Sequence, residues 1–158
     1  MIKLLRVDDK LLHGQVAFSW VRNLKIHTII IADDKVAYDE FSKMTLGLSK
    51  PTGVNLIIIE VDEAIELLKT HVNSKMNVMA IVGSIDNAYR IIDKIPEIKI
   101  LNLGGLRENY NSTSFTQNIA INEKEVKLCK KILDKCVEIE VRLTYDDKKL
   151  FLRDLIKE

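Results

Sequence analysis

The chain has 158 residues, of which 47% are apolar and 30% charged, and its formal net charge is +1. That length buries one substantial core and that apolar content excludes a disordered chain. The near-neutral charge excludes broad electrostatic attraction to nucleic acid or to an anionic membrane surface. An anion site in this molecule has to be built from local groups.

Residues 2–7 predict a first strand, followed by a loop dense in charge and an amphipathic helix over 14–24. Near-continuous apolar runs at 27–32, 54–61, 78–82 and 98–103 predict four more strands, each covered on both faces as in a parallel sheet. Between them, apolar residues at three- and four-residue spacing predict helices over 35–48, 62–71 and 86–95. Acids or amides such as Asp62 and Asp86 mark the helix starts, and Pro51 and Pro96 close helix-to-strand connections. Gly104 and Gly105 then open a polar loop through Asn118, and a loop of that length in a compact domain is usually functional. A short strand over 117–121 and a helix over 123–135 follow. The alternation over 137–144 predicts a strand with one solvated face, an antiparallel edge, and 146–157 predicts a tail helix with an apolar side for docking. The fold class expected is α/β, a single domain over 1–158 with an open, mainly parallel sheet and helices on both faces.

Cys129 and Cys136 are too few and too widely spaced for a disulfide framework or a metal site, so no metal is expected. The opening apolar run is too short for a signal peptide, and no run approaches the roughly 18 residues of a membrane span. A cytoplasmic protein without direct membrane insertion is expected.

In an open parallel sheet, ligands sit beyond the carboxyl ends of the strands. The loop after strand one, Arg6 to Val16, places His13 where the chain enters the first helix. The amides of Gly14, Gln15 and Val16 are then among the unpaired donors of that helix and favour an anion. Gly14 lets a group on the imidazole approach the backbone, Arg6 and Lys10 supply positive charge, and Asp8 orients one of them or the imidazole. A neutral imidazole is a nucleophile, and phosphoryl transfer asks mainly for alignment and neutralised oxygens. Nothing in this arrangement requires a metal or another cofactor. His27, at the start of an apolar strand, and His71, at the end of a polar helix, are read as structural.

The string from Arg6 to Trp20, RVDDKLLHGQVAFSW, closely resembles the active segment of the B component of Enzyme II in the mannose/fructose/sorbose family of the bacterial sugar phosphotransferase system. IIIADDKVAYDE (residues 29–40), the Pro51-Thr52-Gly53-Val54 turn and Asn102-Leu103-Gly104-Gly105 are similar to further segments of that family, in order along the chain. Where the family commonly has arginine three residues before the histidine, this chain has Lys10, which keeps the charge but loses the bidentate fork. The resemblance implies a protein-N(pi)-phosphohistidine–sugar phosphotransferase. It implies a phosphoryl group accepted on Nδ1 of His13 from a IIA component and passed to a sugar of the mannose, fructose, sorbose or amino-sugar class. The membrane components IIC and IID present that sugar, so the chain is expected at the inner face of the membrane, bound to the transporter. In this picture Arg6, Lys10 and the amides of Gly14 and Gln15 hold the phosphate. Asp33, Ser84, Gly104, Gly105 and Arg107 are candidates for framing the pocket. A homo-oligomer is compatible with the sequence.

A receiver-like domain phosphorylated on aspartate is the alternative, invited by the Asp8-Asp9 pair after strand one. Such a domain needs an aspartate closing strand three and a lysine closing strand five, and strand five ends Asn102-Leu103-Gly104. A nucleotide-binding module is disfavoured because no glycine-rich phosphate loop follows strand one.

Overall fold

The structure, a computed structural model, describes residues 1–156. The chain alternates strands and helices: β1 (Ile2–Asp8), α1 (Gly14–Leu24), β2 (Thr28–Ala32), α2 (Glu40–Leu48), β3 (Asn55–Ile59), α3 (Val61–His71), β4 (Val78–Val82), α4 (Ile85–Lys94) and β5 (Ile100–Gly105). A hairpin of β6 (Thr113–Ser114) and β7 (Ala120–Ile121) follows, then α5 (Glu123–Asp134), β8 (Glu138–Val141), β9 (Leu150–Phe151) and the single turn α6 (Leu152–Leu155). Seven strands form one sheet in the order β3-β2-β4-β1-β5-β8-β9, parallel throughout except for the β8–β9 edge.

The parallel strands require crossover helices, and these cover both faces. Leu5, Val7, Ala80, Val82 and Leu103 point toward α3, α4 and α5, where Leu68, Ile91 and Ile132 meet them. On the opposite face Leu4, Ile29, Ile31 and Ile81 pack beneath Val16, Ala17 and Trp20 of α1 and Leu46 of α2. Burying each isoleucine of α4 contributes roughly 1.5–3 kcal/mol. Ser84 starts that helix by accepting a hydrogen bond from the Asn87 N–H, and Asn122 with Glu125 forms a reciprocal capping box on α5. Among the described residues no helix is long and apolar enough to cross a membrane.

Several expectations are corrected. The helix expected over 35–48 is broken into a 3-10 turn (Val36–Tyr38) and α2, because the Asp39 carboxylate, in an extended residue, accepts the Phe41 and Ser42 N–H groups and restarts the helix. β3 lies at the sheet's end and is only half-buried, whereas coverage on both faces was expected. Helix α3 begins at Val61 with Glu60 as its cap residue, so Asp62 sits inside the first turn and pairs with Arg90. The segment expected as the antiparallel edge, β8, instead runs parallel to β5 and is covered by the true antiparallel edge, β9. Nor is its polar face solvated, since Glu140 is buried. The tail helix expected over 146–157 shrinks to α6, because Leu150 and Phe151 are drawn into the sheet by β8; residue 157 lies outside the described residues. The docking face imagined on that helix is therefore not formed.

Candidate functional site

β1 is the central strand whose outgoing helix, α1, lies on one face of the sheet, while neighbouring β5 feeds α5 on the other. The connections part there, opening a crevice at the carboxyl ends. The loop into α1 is pinned rather than loose. Leu11 adopts a left-handed φ of 61°, donates its N–H to the Asp8 carbonyl at 2.8 Å, and is buried together with Leu12. This anchoring delivers His13 to the cap position of α1 in an extended conformation, with its ring making no capping bond and its side chain 40% exposed. The first bond of the helix runs from the Ala17 N–H to the His13 carbonyl, so the amides of Gly14, Gln15 and Val16 have no partner inside the helix. His13 Nε2 lies 3.6 Å from Asp8 Oδ2, which is ion-pair range but longer than a hydrogen bond.

Asp8 is itself held from below. Arg6 Nη2 donates to Asp8 Oδ2 at 3.0 Å, and the Lys10 N–H donates to Asp8 Oδ1 at 3.0 Å. Arg6 Nη1 donates to Asn102 Oδ1 at 2.7 Å, and Asn102 Nδ2 donates to Glu140 Oε2 at 3.1 Å. Arg142 closes the series through Nε to Glu140 Oε2 at 2.7 Å. The register explains the line: Arg6 sits opposite Asn102, and Asn102 opposite Glu140, across three parallel strands. The indole of Trp20, beneath α1, covers both guanidinium groups, at 5.7 Å from Arg6 and 4.9 Å from Arg142. Burial lowers the pKa of Arg6, opposed by the charges of Asp8 and Glu140. Gly104 closes over the same guanidinium, and a Cβ there would fall on Cζ, Nη1 and Nη2 of Arg6.

An open cavity of about 210 Å³ lies beside His13, floored by Asp8, Lys10 and Gly105 and walled by the polar loop from Leu106 to Ala120. That loop folds back on itself through the β6–β7 hairpin and is fixed by buried Leu106, Ile119 and Ile121. Arg107, 70% exposed, donates from its backbone N–H and its Nε to Asp9 Oδ2 across the cavity.

Of the residues singled out in the sequence, His13, Asp8, Lys10, Gly105 and Arg107 share this cavity. Arg6 and Gly104 lie beneath it, and Arg6, 2% exposed, directs its Nη2 to Asp8. Gly14 and Gln15 line an adjoining groove with Phe18, Arg22, Leu48 and Pro51, so their contribution to the His13 side is their backbone. Asp33 and Ser84 do not line the cavity. Asp33 Oδ1 accepts the Lys35 and Val36 N–H groups, and Ser84 caps α4; both carry local structure. The acid pair of the receiver alternative is divided, Asp8 being bound to Arg6 and Asp9 to Arg107.

A sequence model of the family described as the sorbose-subfamily IIB component of the PTS system matches residues 2–158. The chain belongs to this family. The IIB chain is 30% identical over all 158 of its residues to the mannose-specific EIIAB component of Escherichia coli K12, and it spans 49% of that relative's length. To the fructose-specific EIIB component of Bacillus subtilis it is 25% identical over 141 residues, covering 89% of this chain and 86% of the other. Among solved structures, the IIBSor domain of the Klebsiella pneumoniae sorbose permease superposes with a TM-score of 0.90 at 21% identity, over 98% of this chain and 94% of that one. The manxB protein of Thermoanaerobacter tengcongensis gives 0.88 at 30% identity, over 97% and 93%.

Sequence reasoning missed Glu140, Arg142 and the wall residues Glu108, Thr116 and Gln117 of the IIB cavity. One signal was available for the first group: Asn102 interrupts an apolar run and Glu140 alternates with Ile139 and Val141. Polar residues at buried strand positions demand partners. Their alignment across β1, β5 and β8 is a property of the sheet order, which no local pattern contains.

Proposed function

We propose that this IIB chain is a cytoplasmic phosphocarrier in which His13 accepts a phosphoryl group from a phosphohistidine of the IIA component and passes it to a sugar during uptake. The observation that carries this reading is the placement of the His13 ring: half-exposed, at the unpaired amides opening α1, with Asp8 beside Nε2. A carboxylate near Nε2 favours the tautomer with its proton there, which leaves the lone pair on Nδ1. On loading, the donor's P–N bond breaks as a P–N bond to Nδ1 forms, and the Nε2 proton stays facing Asp8. On delivery that bond breaks, a P–O bond to the sugar hydroxyl forms, and the hydroxyl proton is lost to solvent.

The phosphoryl oxygens find donors in the Gly14 and Gln15 amides and in Lys10, and Arg107 reaches them by leaving Asp9. Arg6 acts through Asp8. The groove beside Gly14 and Gln15, bordered by half-exposed Phe18 and exposed Leu48, supplies the IIA component with an apolar contact surface. The acceptor sugar is of the mannose, fructose, sorbose or amino-sugar class, presented by IIC and IID at the inner face of the membrane.

Incubating the chain with phosphorylated IIA component and mapping the product tests this reading. Expected is one acid-labile, alkali-stable modification on His13, lost in His13→Ala while the fold is retained. A modification on another residue overturns it.

A further inference from the structure

We propose that Glu140 and Asn102 are positioning residues for His13, setting the Asp8 carboxylate against the imidazole through Arg6; this rests on the phosphocarrier reading above. The two side chains are 3% and 0% exposed, and neither touches the cavity. Burying a carboxylate is costly, and an ion pair in the interior is a poor source of stability. A stretch of β8 serving only the core would be expected to carry an apolar residue there. Instead the chain spends a glutamate, an asparagine and two arginines on one row.

The row is directional. Asn102 has one acceptor and one donor end, and Arg6 offers only donors. Asn102 Oδ1 must therefore face Arg6, and its Nδ2 must face an acceptor, which Glu140 Oε2 provides at 3.1 Å. Glu140 is fixed in turn by both Nε and Nη2 of Arg142, at 2.7 and 3.3 Å, and Arg142 is fixed by the Tyr145 carbonyl at 2.9 Å. With Nη1 committed to Asn102, the Arg6 guanidinium has one orientation, and in it Nη2 meets Asp8 Oδ2. That oxygen is the one 3.6 Å from His13 Nε2. The Lys10 N–H holds the other oxygen of Asp8 at 3.0 Å, so the carboxylate cannot turn away without losing both partners. Formal charge along the row balances: Arg6 and Arg142 against Asp8 and Glu140. The other charged groups around His13 are Asp9, Lys10, Arg107 and Glu108, all from the cavity wall and none from this row.

Glu140→Gln keeps the shape and breaks the logic. Asn102 Nδ2 and Arg142 Nε both donate to Glu140 Oε2, which a glutamine carbonyl oxygen replaces without the charge, while Arg142 Nη2, which donates to Oε1, would meet an NH2 group that cannot accept. The row then holds two cations against one anion, Asp8 is drawn toward the guanidinium, and an imidazolium at His13 loses support.

The test has a proton arm and a phosphoryl arm. In the unmodified, isotope-labelled chain, the Asn102 amide and Arg142 Nε–H signals should follow the protonation of His13 across its NMR titration, while those of Arg90 should not. In Glu140→Gln the His13 midpoint should fall, and single-turnover acceptance of the phosphoryl group from phosphorylated IIA should slow by roughly ten- to a hundredfold, by analogy with the loss of an outer hydrogen-bonding partner of a metal-ligating residue. Glu138→Gln, on the same strand and facing Arg153, should change neither. Silence of the Asn102 and Arg142 signals in the unmodified chain overturns the proposal without requiring any variant to fold, as does a folded Glu140→Gln with the original midpoint and rate. If the unmodified chain accepts no phosphoryl group, the phosphocarrier reading falls while the proton arm still reports on the row.

Discussion

Gly104→Ala is the sharpest test of how the site is assembled. The added methyl group would coincide with the Arg6 guanidinium, which has no room to retreat because Trp20 lies over it and Asn102, Asp8 and the Arg142 carbonyl hold its hydrogens. Overpacking alone costs about 1–3 kcal/mol. Displacing the guanidinium adds the loss of charged hydrogen bonds, and a buried pair broken from one side costs about 3–5 kcal/mol. The two effects describe one displacement and overlap, so a loss of roughly 3–5 kcal/mol is expected, a large share of a domain's 5–15 kcal/mol. Urea unfolding at pH 7 measures it, and a double-mutant cycle assigns it: in an Arg6→Ala background the same Gly104→Ala should cost less than about 0.5 kcal/mol. Gly105→Ala is the milder contrast, since its methyl group would stand 3.2 Å from Asp8 Oδ1 and ask the held carboxylate to yield by a few tenths of an ångström, against outright overlap with Arg6 Cζ at Gly104. A Gly104→Ala chain as stable as the unmodified one, or an equal penalty with Arg6 absent, would refute the reasoning.

Lys25 ends α1 in the left-handed region at φ 53°, with its N–H bonded to the Val21 carbonyl. Lys25→Gly should therefore stabilise the fold by roughly 1 kcal/mol in denaturant titration, and a loss of stability would contradict that. The Cys129 thiol is buried and its pKa is pushed up to about 12, first by desolvation and then by Glu125, whereas Cys136 is exposed. Iodoacetamide at pH 8 should modify Cys136 alone in the native protein, and rapid labelling of Cys129 would show that its burial is wrong. Asp34 is held below the usual carboxylate range by the Val61 N–H and then by Arg90. A depressed folded value contributes stability that is complete above the unfolded carboxylate pKa, near ~3.9, and is lost as pH falls through the folded value. Asp34→Asn should flatten the acid limb of the stability profile, and an unchanged limb would remove Asp34 from it.

Much of this molecule was legible in its sequence. The apolar runs of β2 and β4 are unambiguous because strands covered on both faces have no solvated face to maintain, and β1 and β5 read as strands despite their buried Arg6, Asp8 and Asn102. Helices α1, α3 and α4 were equally plain from their 3.6-residue period, whereas the stretch over 35–48 broke at Asp39, and His13 at the mouth of α1 followed from the Arg6–Val16 pattern and the family resemblance. Legibility failed where contacts across the chain outweigh local pattern. The amphipathic tail reads as helix, yet β8 captures Leu150 and Phe151 as an edge strand. The alternation of β8 reads as an exposed face, yet its polar position is buried against Asn102. Arg6 reads as a phosphate ligand, yet it lies under Gly104 and Trp20 and acts on Asp8.

Composition and periodicity thus determined that this chain folds as an α/β sheet with a histidine at the opening of its first helix, because those features arise from neighbours in sequence. Only the tertiary structure decided which groups that histidine faces and what lies beneath them. The order of β1, β5 and β8 brings residues 6, 102 and 140 side by side. A charge buried in such a row takes its role from partners nearly a hundred residues away, and no local pattern records them.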